Sequence, residues 1–185
     1  MSVESFNKLF YLRLRKTQPG KRERNMTMNV RFVRFCENVP DECVQFVVIA
    51  ARYRGKWILC KHKERETLEF PGGHREHGEE LPRAAGRELF EETGALKYTL
   101  HPICIYAVTG KNRVNPIGDE TFGMLYYAEI SELGKLPDSE MDCIYLMETL
   151  PENWTYPDIQ PVLVQKVFDC GYVPSLGDTR VTVSG

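Results

Sequence analysis

The stretch that most constrains this chain is residues 72–95, which read GGHREHGEELPRAAGRELFEETGA. Two glycines lead into a polar loop. Pro82 stands where a helix begins, because the N–H that proline lacks would be unbonded in a first turn anyway. Helix-favouring residues continue to Thr93, and Gly94 follows where a left-handed residue commonly ends a helix. Leu81, Ala85 and Leu89 recur at i, i+4 and i+8 and form one apolar stripe. Glu88, Glu91 and Glu92 fall at i, i+3 and i+4, so their carboxylates share the adjoining face. The pattern predicts a glycine-rich loop, an amphipathic helix and a glycine stop.

The three carboxylates are in conflict with each other. Like charges at this spacing destabilise a helix by about 0.2–0.5 kcal/mol per pair. The helix dipole also disfavours anions near the C-terminal end. A solvated acidic face is one reading. The other is a site for a hard divalent cation, which prefers carboxylates, backbone carbonyls and water.

The spacing of the whole segment adds to this. From Gly73, five residues lead to Glu79 and seven more to Arg87-Glu88-Leu89; one residue then precedes Glu91-Glu92, and one precedes Gly94-Ala95. This resembles the Nudix box, G-x5-E-x7-R-E-U-x-E-E-x-G-U with U aliphatic, at every fixed position; Ala95 is smaller than the usual last residue. The resemblance implies an α/β/α sandwich with a mixed β-sheet, an α+β fold in which the box is a loop–helix–loop. It also implies a hydrolase that cleaves nucleoside diphosphates linked to another group, using Mg2+ or Mn2+. Glu88, Glu91 and Glu92 match the metal-binding and base carboxylates, and the Gly72 carbonyl adds a metal ligand. Gly73 and Gly94 are structural. Arg87 orients a box glutamate, and Glu79 closes the loop by pairing. Members often use one further acid outside the box. Glu120 and Glu140 are the candidates, ahead of Asp119 and Asp142. His74 and His77 are read as solvated loop residues that could touch phosphate.

Composition sets the frame around the box. With 185 residues, 42% hydrophobic and 27% charged, the chain can build one globular domain. A net charge of −2 does not by itself call for a polyanionic partner. The charge is uneven, however: residues 1–34 hold nine Lys or Arg against Glu4 and Glu23, a local excess of +7. Residues 1–28 are read as a basic extension, 29–171 as the catalytic domain and 172–185 as a tail or added edge strand. The basic arm could touch nucleic acid or anionic lipid, or serve as a leader, but a loose tail is the preferred reading. Six scattered cysteines without C-x-x-C or zinc spacing point to a reducing cytoplasm. No apolar run approaches the roughly 18 residues of a membrane span, and no signal peptide is evident. The expected partner is a small nucleotide; no membrane and no nucleic acid partner is expected, and the oligomeric state is open, a homodimer included.

Strands are predicted at 30–35, 43–53, 56–61, 68–73, 98–108, 121–130 and 143–147, with a two-residue turn at Arg54-Gly55. A last helix carries the stripe Ile159, Leu163, Val167 and stops near Cys170-Gly171. Just before it, Trp154-Thr155-Tyr156-Pro157-Asp158 resembles the base-holding segment of oxidised-purine nucleoside triphosphate hydrolases, with the second acid replaced by Ile159. That resemblance implies that Tyr156 and Asp158 bind substrate, 8-oxo-dGTP being the model. The alternative is a plain helix start, capped by Asp158 with Pro161 in the first turn. Competing substrates are ADP-ribose, a nucleotide sugar or the 5′-pyrophosphate of RNA. A non-catalytic nucleotide sensor is the alternative of another class, although such modules tend to lose box glutamates.

Overall fold

The computed structural model describes residues 32–111 and 115–173. In chain order they form β1 (Phe32–Cys36), a 3-10 turn (Asp41–Cys43), β2 (Val44–Tyr53), β3 (Lys56–His62), β4 (Leu68–Glu69) and β5 (Gly72–His74). Helix α1 (Leu81–Thr93), β6 (Ala95–Thr109), β7 (Thr121–Leu133), β8 (Met141–Met147) and helix α2 (Gln160–Asp169) follow. The expected extension at 1–28 lies outside the described residues, and so does the expected tail at 172–185 apart from Tyr172 and Val173, of which Val173 is buried in the core.

The strands run in the order β1-β6-β7-β2-β3-β4, with β5 also on β2 and β8 also on β3. β2 lies parallel to β7 from Val44 to Tyr53, while its pairings with β3 and β5 are antiparallel, so the sheet is mixed. Arg54 and Gly55 carry φ of 50° and 76°. That pair of left-handed residues is what a two-residue hairpin turn with the strand twist requires. The β2–β3 hairpin pairs only at its closed end, Arg52 with Trp57 and Tyr53 with Lys56. Beyond that the strands part. β5 takes the freed edge of β2 at Phe46, Val47 and Val48, and β4 takes that of β3 at Cys60 and Lys61. The glycine loop therefore enters through the mouth of the hairpin, at the centre of the sheet.

Strand alternation divides the core in two. Val47, Ile49 and Ala51 face α1, where Ala84, Ala85 and Leu89 pack against them. Ala50, Leu59 and Leu125 face the other way, against Leu163, Val164 and Val167 of α2. The result is a sheet between two helices, as expected. Leu89 is fully buried, so its truncation to alanine should cost about 2–5 kcal/mol.

α1 starts and stops as the sequence predicts. Gly94 has φ of 73°, and its N–H donates to the Phe90 carbonyl at 2.8 Å. β6 begins earlier than the predicted residue 98, at Ala95, which pairs with Leu133. Bulges on either side of Lys97 keep that lysine exposed while Ala95 is buried, and such bulges break the alternation that would reveal a strand. α2 differs in its cap. The N-cap is Ile159, no side-chain capping bond is made, and Pro161 sits in the first turn. Ahead of α2, the chain pairs with β4: Leu68 N–H donates to Asn153 O at 3.0 Å and Thr155 N–H to Leu68 O at 2.8 Å. This pairing sets the place of Tyr156.

Candidate active site

The site is built by α1 lying over β5. Arg87 is its hub. Its guanidinium donates to both oxygens of Glu79 at 3.0 and 2.9 Å, to Glu88 Oε1 at 2.8 Å, to Glu91 Oε2 at 3.1 Å and to the His74 carbonyl at 3.0 Å. One cation thus offsets the repulsion that the sequence sets up on the helix, and it ties the loop to the helix through Glu79. The paired guanidinium holds the Glu79 carboxyl below the usual glutamate range. The same carboxylate raises the already high Arg87 value.

The three box carboxylates do not share one environment. Glu88 and Glu92 turn inward and are buried, while the Glu91 side chain is 47% exposed. The Glu88 carboxyl lies against Gly73, where a β-carbon would come within 2.4 Å of Oε1. Burial pushes Glu88 upward, and Arg87 pulls it back in part. Glu92 is 4% exposed, and its Oε2 accepts the Gly72 N–H at 2.9 Å. Burial pushes its carboxyl up to about 9; the Gly72 amide opposes the shift, and the charges of Glu88, Glu69 and Glu140 add to it.

A cavity of about 200 Å³ opens beside this element. Its polar wall includes Gly72, Gly73, His74, Glu92 and Glu140, and its apolar wall includes Tyr106, Val108, Tyr156 and Ile159. Of the two acids proposed outside the box, Glu140 lines the cavity. Glu120 is exposed and forked onto Arg34, with distances of 3.0 and 2.8 Å. The guanidinium keeps the Glu120 carboxyl low. Asp142 pairs with Lys61 at 3.2 Å, and Asp119 is exposed. Tyr156 lines the cavity; Asp158 is exposed and is not among the lining residues. His74 lines it with its ring 4.4 Å from that of Phe46, whereas His77 is exposed outside it.

Two lining residues, Glu69 and Gln160, escape the sequence reading. Glu69 is 7% exposed and paired to Arg65 at 2.9 Å. Gln160, the first residue of α2, is 4% exposed. An acid beside Phe70-Pro71 reads as the wet face of a strand, and a glutamine after Ile159 reads as helix surface. Only the β3–β4 pairing and the phase of α2 bury them.

Among the described residues, no three Asp, Glu, His or Cys side chains already stand together as a metal cage. Glu88 and Glu91 face Arg87, and Glu92 faces the Gly72 amide. The donor chemistry nonetheless fits a hard divalent cation. All donors are oxygen, and Glu88 and Glu92 are carboxylates raised by burial and by neighbouring acids, Glu91 and Glu140 around Glu88 and Glu88, Glu69 and Glu140 around Glu92, a state that a cation relieves as a proton does.

Comparison with known proteins agrees with this architecture. The model of the NUDIX domain matches residues 42–159. The chain belongs to the Nudix family. A Bacillus subtilis (strain 168) protein that carries the provisional name 8-oxo-dGTP diphosphatase YtkD is 33% identical over 137 residues, 69% of this chain and 82% of that protein. The crystal structure of the Bacillus subtilis pyrophosphohydrolase BsRppH superposes with a TM-score of 0.64 at 29% identity, covering 77% of this chain and 92% of the other. The NUDIX domain of Shewanella oneidensis NrtR, solved with ADP ribose, shares the fold at a TM-score of 0.55 and 13% identity, covering 72% of this chain and 94% of the other. The protein is accordingly a Nudix hydrolase, a pyrophosphohydrolase acting on nucleotides. Enzymes of this family generally use divalent metals such as Mg2+. No helix among the described residues is long and apolar enough to cross a membrane.

Proposed function

We propose that this enzyme hydrolyses purine nucleoside triphosphates, oxidised ones such as 8-oxo-dGTP included, and releases the nucleoside monophosphate. The observation that carries this reading is the shared cavity: one wall holds Glu92 and the box glycines, and another holds Tyr156 and Tyr106. The polyphosphate lies along Gly72, Gly73 and Glu92, and the base lies against Tyr156, where stacking contributes roughly 1–3 kcal/mol. The Bacillus subtilis relative named for 8-oxo-dGTP supports the choice of purine.

In this reading Glu88, Glu91 and Glu92, with the Gly72 carbonyl, hold Mg2+ or Mn2+. When bound, the cation supplies Lewis-acid neutralisation of the pyrophosphate charge. Arg87 positions Glu88 and Glu91, and Glu79 fixes Arg87. Glu140 takes the proton of the attacking water; its place on the cavity wall favours it over Glu120, which is occupied by Arg34. Asp158, exposed ahead of α2 and outside the cavity lining, has no part in this reading. A second reading, removal of pyrophosphate from an RNA 5′ end, is favoured by the +7 excess in residues 1–34.

The test is product analysis. Incubation of dGTP or 8-oxo-dGTP with Mg2+ or Mn2+ should yield the monophosphate and pyrophosphate, and EDTA should abolish the reaction. Release of single phosphates, or full activity in EDTA, would overturn the proposal.

A further inference from the structure

Gln160 is nearly fully buried, lines the cavity and has no part in the box chemistry. Its Oε1 accepts the Phe70 backbone N–H at 3.1 Å. A backbone amide can only donate, so this contact fixes which end of the carboxamide faces Phe70: the oxygen does. The side chain therefore offers the cavity its Nε2 end, two N–H donors and no acceptor. Among the described residues no acceptor meets Nε2. The backbone N–H of Gln160 donates to the Tyr156 carbonyl at 3.0 Å, so one turn of backbone joins the two residues.

The link to the chemistry is short. Phe70 is followed by Pro71 and then Gly72, whose N–H holds Glu92. One stretch of backbone thus anchors the amide at one end and the buried carboxylate at the other. A nucleotide that fills the cavity meets both at a fixed separation.

We propose that Gln160 is a specificity-determining residue that selects 6-oxo purines over 6-amino purines. Its Nε2–H groups donate to the O6 of a guanine-type base stacked on Tyr156. The 6-amino group of adenine presents a donor at the same place. Two donors face to face, both shut off from water, leave each other unsatisfied, and such mismatches discriminate strongly. The inference rests on the reading of this cavity as the nucleotide site, but not on the number of phosphates.

The experiment compares the wild-type enzyme with Gln160→Glu and Gln160→Met. Glutamate keeps an oxygen for Phe70 and replaces the donors with an acceptor; methionine keeps the length and removes the polar head. Two quantities are read: relative kcat/KM for dGTP, dITP and dATP, and equilibrium binding of dGMP against dAMP. dITP retains O6 and lacks the 2-amino group, so it isolates the proposed contact. The wild type should favour dGTP and dITP over dATP by about tenfold to a hundredfold, in line with hydrogen-bond discrimination in closed sites. Gln160→Met should bring the ratio to about one, and Gln160→Glu should reverse it. If Gln160→Glu does not fold, the methionine variant and wild-type binding decide. A wild type that does not distinguish dGMP from dAMP, or variants that lose melting temperature while keeping the ratio, would overturn the assignment and leave Gln160 as a wall residue that braces Phe70. Poor hydrolysis of every triphosphate, with dGMP still outbinding dAMP and the order changed by the variants, would remove the triphosphate reading alone.

Discussion

Gly73→Ala should cripple the enzyme while leaving the fold in place. A β-carbon at this position would lie 2.4 Å from Glu88 Oε1, 2.6 Å from Cδ and 2.7 Å from Oε2. Relaxed contacts between such atoms need about 3.5 Å, so the carboxylate must withdraw by about 1 Å. It is the end of a side chain and can do so, but only by leaving the Arg87 contact that orients it. A misplacement of about 1 Å in a catalytic group can cost about a hundredfold in rate. Crowding of this kind typically costs about 1–3 kcal/mol of stability. Gly72→Ala is the control with the opposite balance. There the β-carbon would meet the Val47 carbonyl oxygen at 2.3 Å and Val48 Cα at 3.0 Å, and backbone held in a sheet cannot step aside. The assay is kcat/KM for dGTP with Mg2+, together with the urea midpoint of the same preparations. Gly73→Ala should lose about a hundredfold in kcat/KM with a modest midpoint shift, and Gly72→Ala should lose more stability. Wild-type turnover by Gly73→Ala, or Gly73→Ala being the less stable of the two, would refute the reasoning.

The other predictions concern carboxylates. Glu92→Gln keeps an acceptor for Gly72 but cannot ionise to meet a cation, so turnover should fall at least about a hundredfold with no loss of melting temperature; wild-type rates would sink its assignment. Glu140→Gln should lose about 10² to 10⁴ in kcat, the usual contribution of a general base, while Glu120→Gln only breaks the exposed pair with Arg34; equal, small losses would move the base into the box, to Glu88. The Glu79 carboxyl is held low by Arg87, so its contribution to stability is present above the unfolded value of about 4.3 and is lost as pH falls through the lower folded value. The urea midpoint of Glu79→Gln should therefore lie below wild type at pH 7, and the gap should close in acid; a gap that widens in acid would contradict the pairing.

Helix α1 is legible in the sequence from end to end because its signals are local: a proline in the first turn, an apolar repeat and a glycine, which adopts a φ of 73° without the strain a β-carbon brings. The strands are legible in kind but less so in extent, since β6 reaches Ala95 through bulges that depend on β7. The site divides along the same line. Helical spacing groups Glu88, Glu91 and Glu92, yet which of them are buried depends on how α1 settles over β5. Glu120 and Glu140 look alike in sequence. What separates them in space is Arg34 on a distant strand and the pairing of β8 with β3. Asp158 and Gln160 differ by two positions: Asp158 stays exposed in the turn before the helix, and the phase of α2 buries Gln160.

The central claim, that one cavity joins a purine site to the box carboxylates, meets its most direct test in a competition experiment. Equal concentrations of 8-oxo-dGTP, dGTP, dCTP and ADP-ribose, incubated together with the enzyme and Mg2+, are followed by chromatography, and relative depletion gives relative kcat/KM. The account predicts that 8-oxo-dGTP and dGTP are consumed first, and that Tyr156→Ala, which removes the stacking face, narrows the spread between the four. Preferential consumption of dCTP or ADP-ribose, or an order that Tyr156→Ala leaves unchanged, would contradict it.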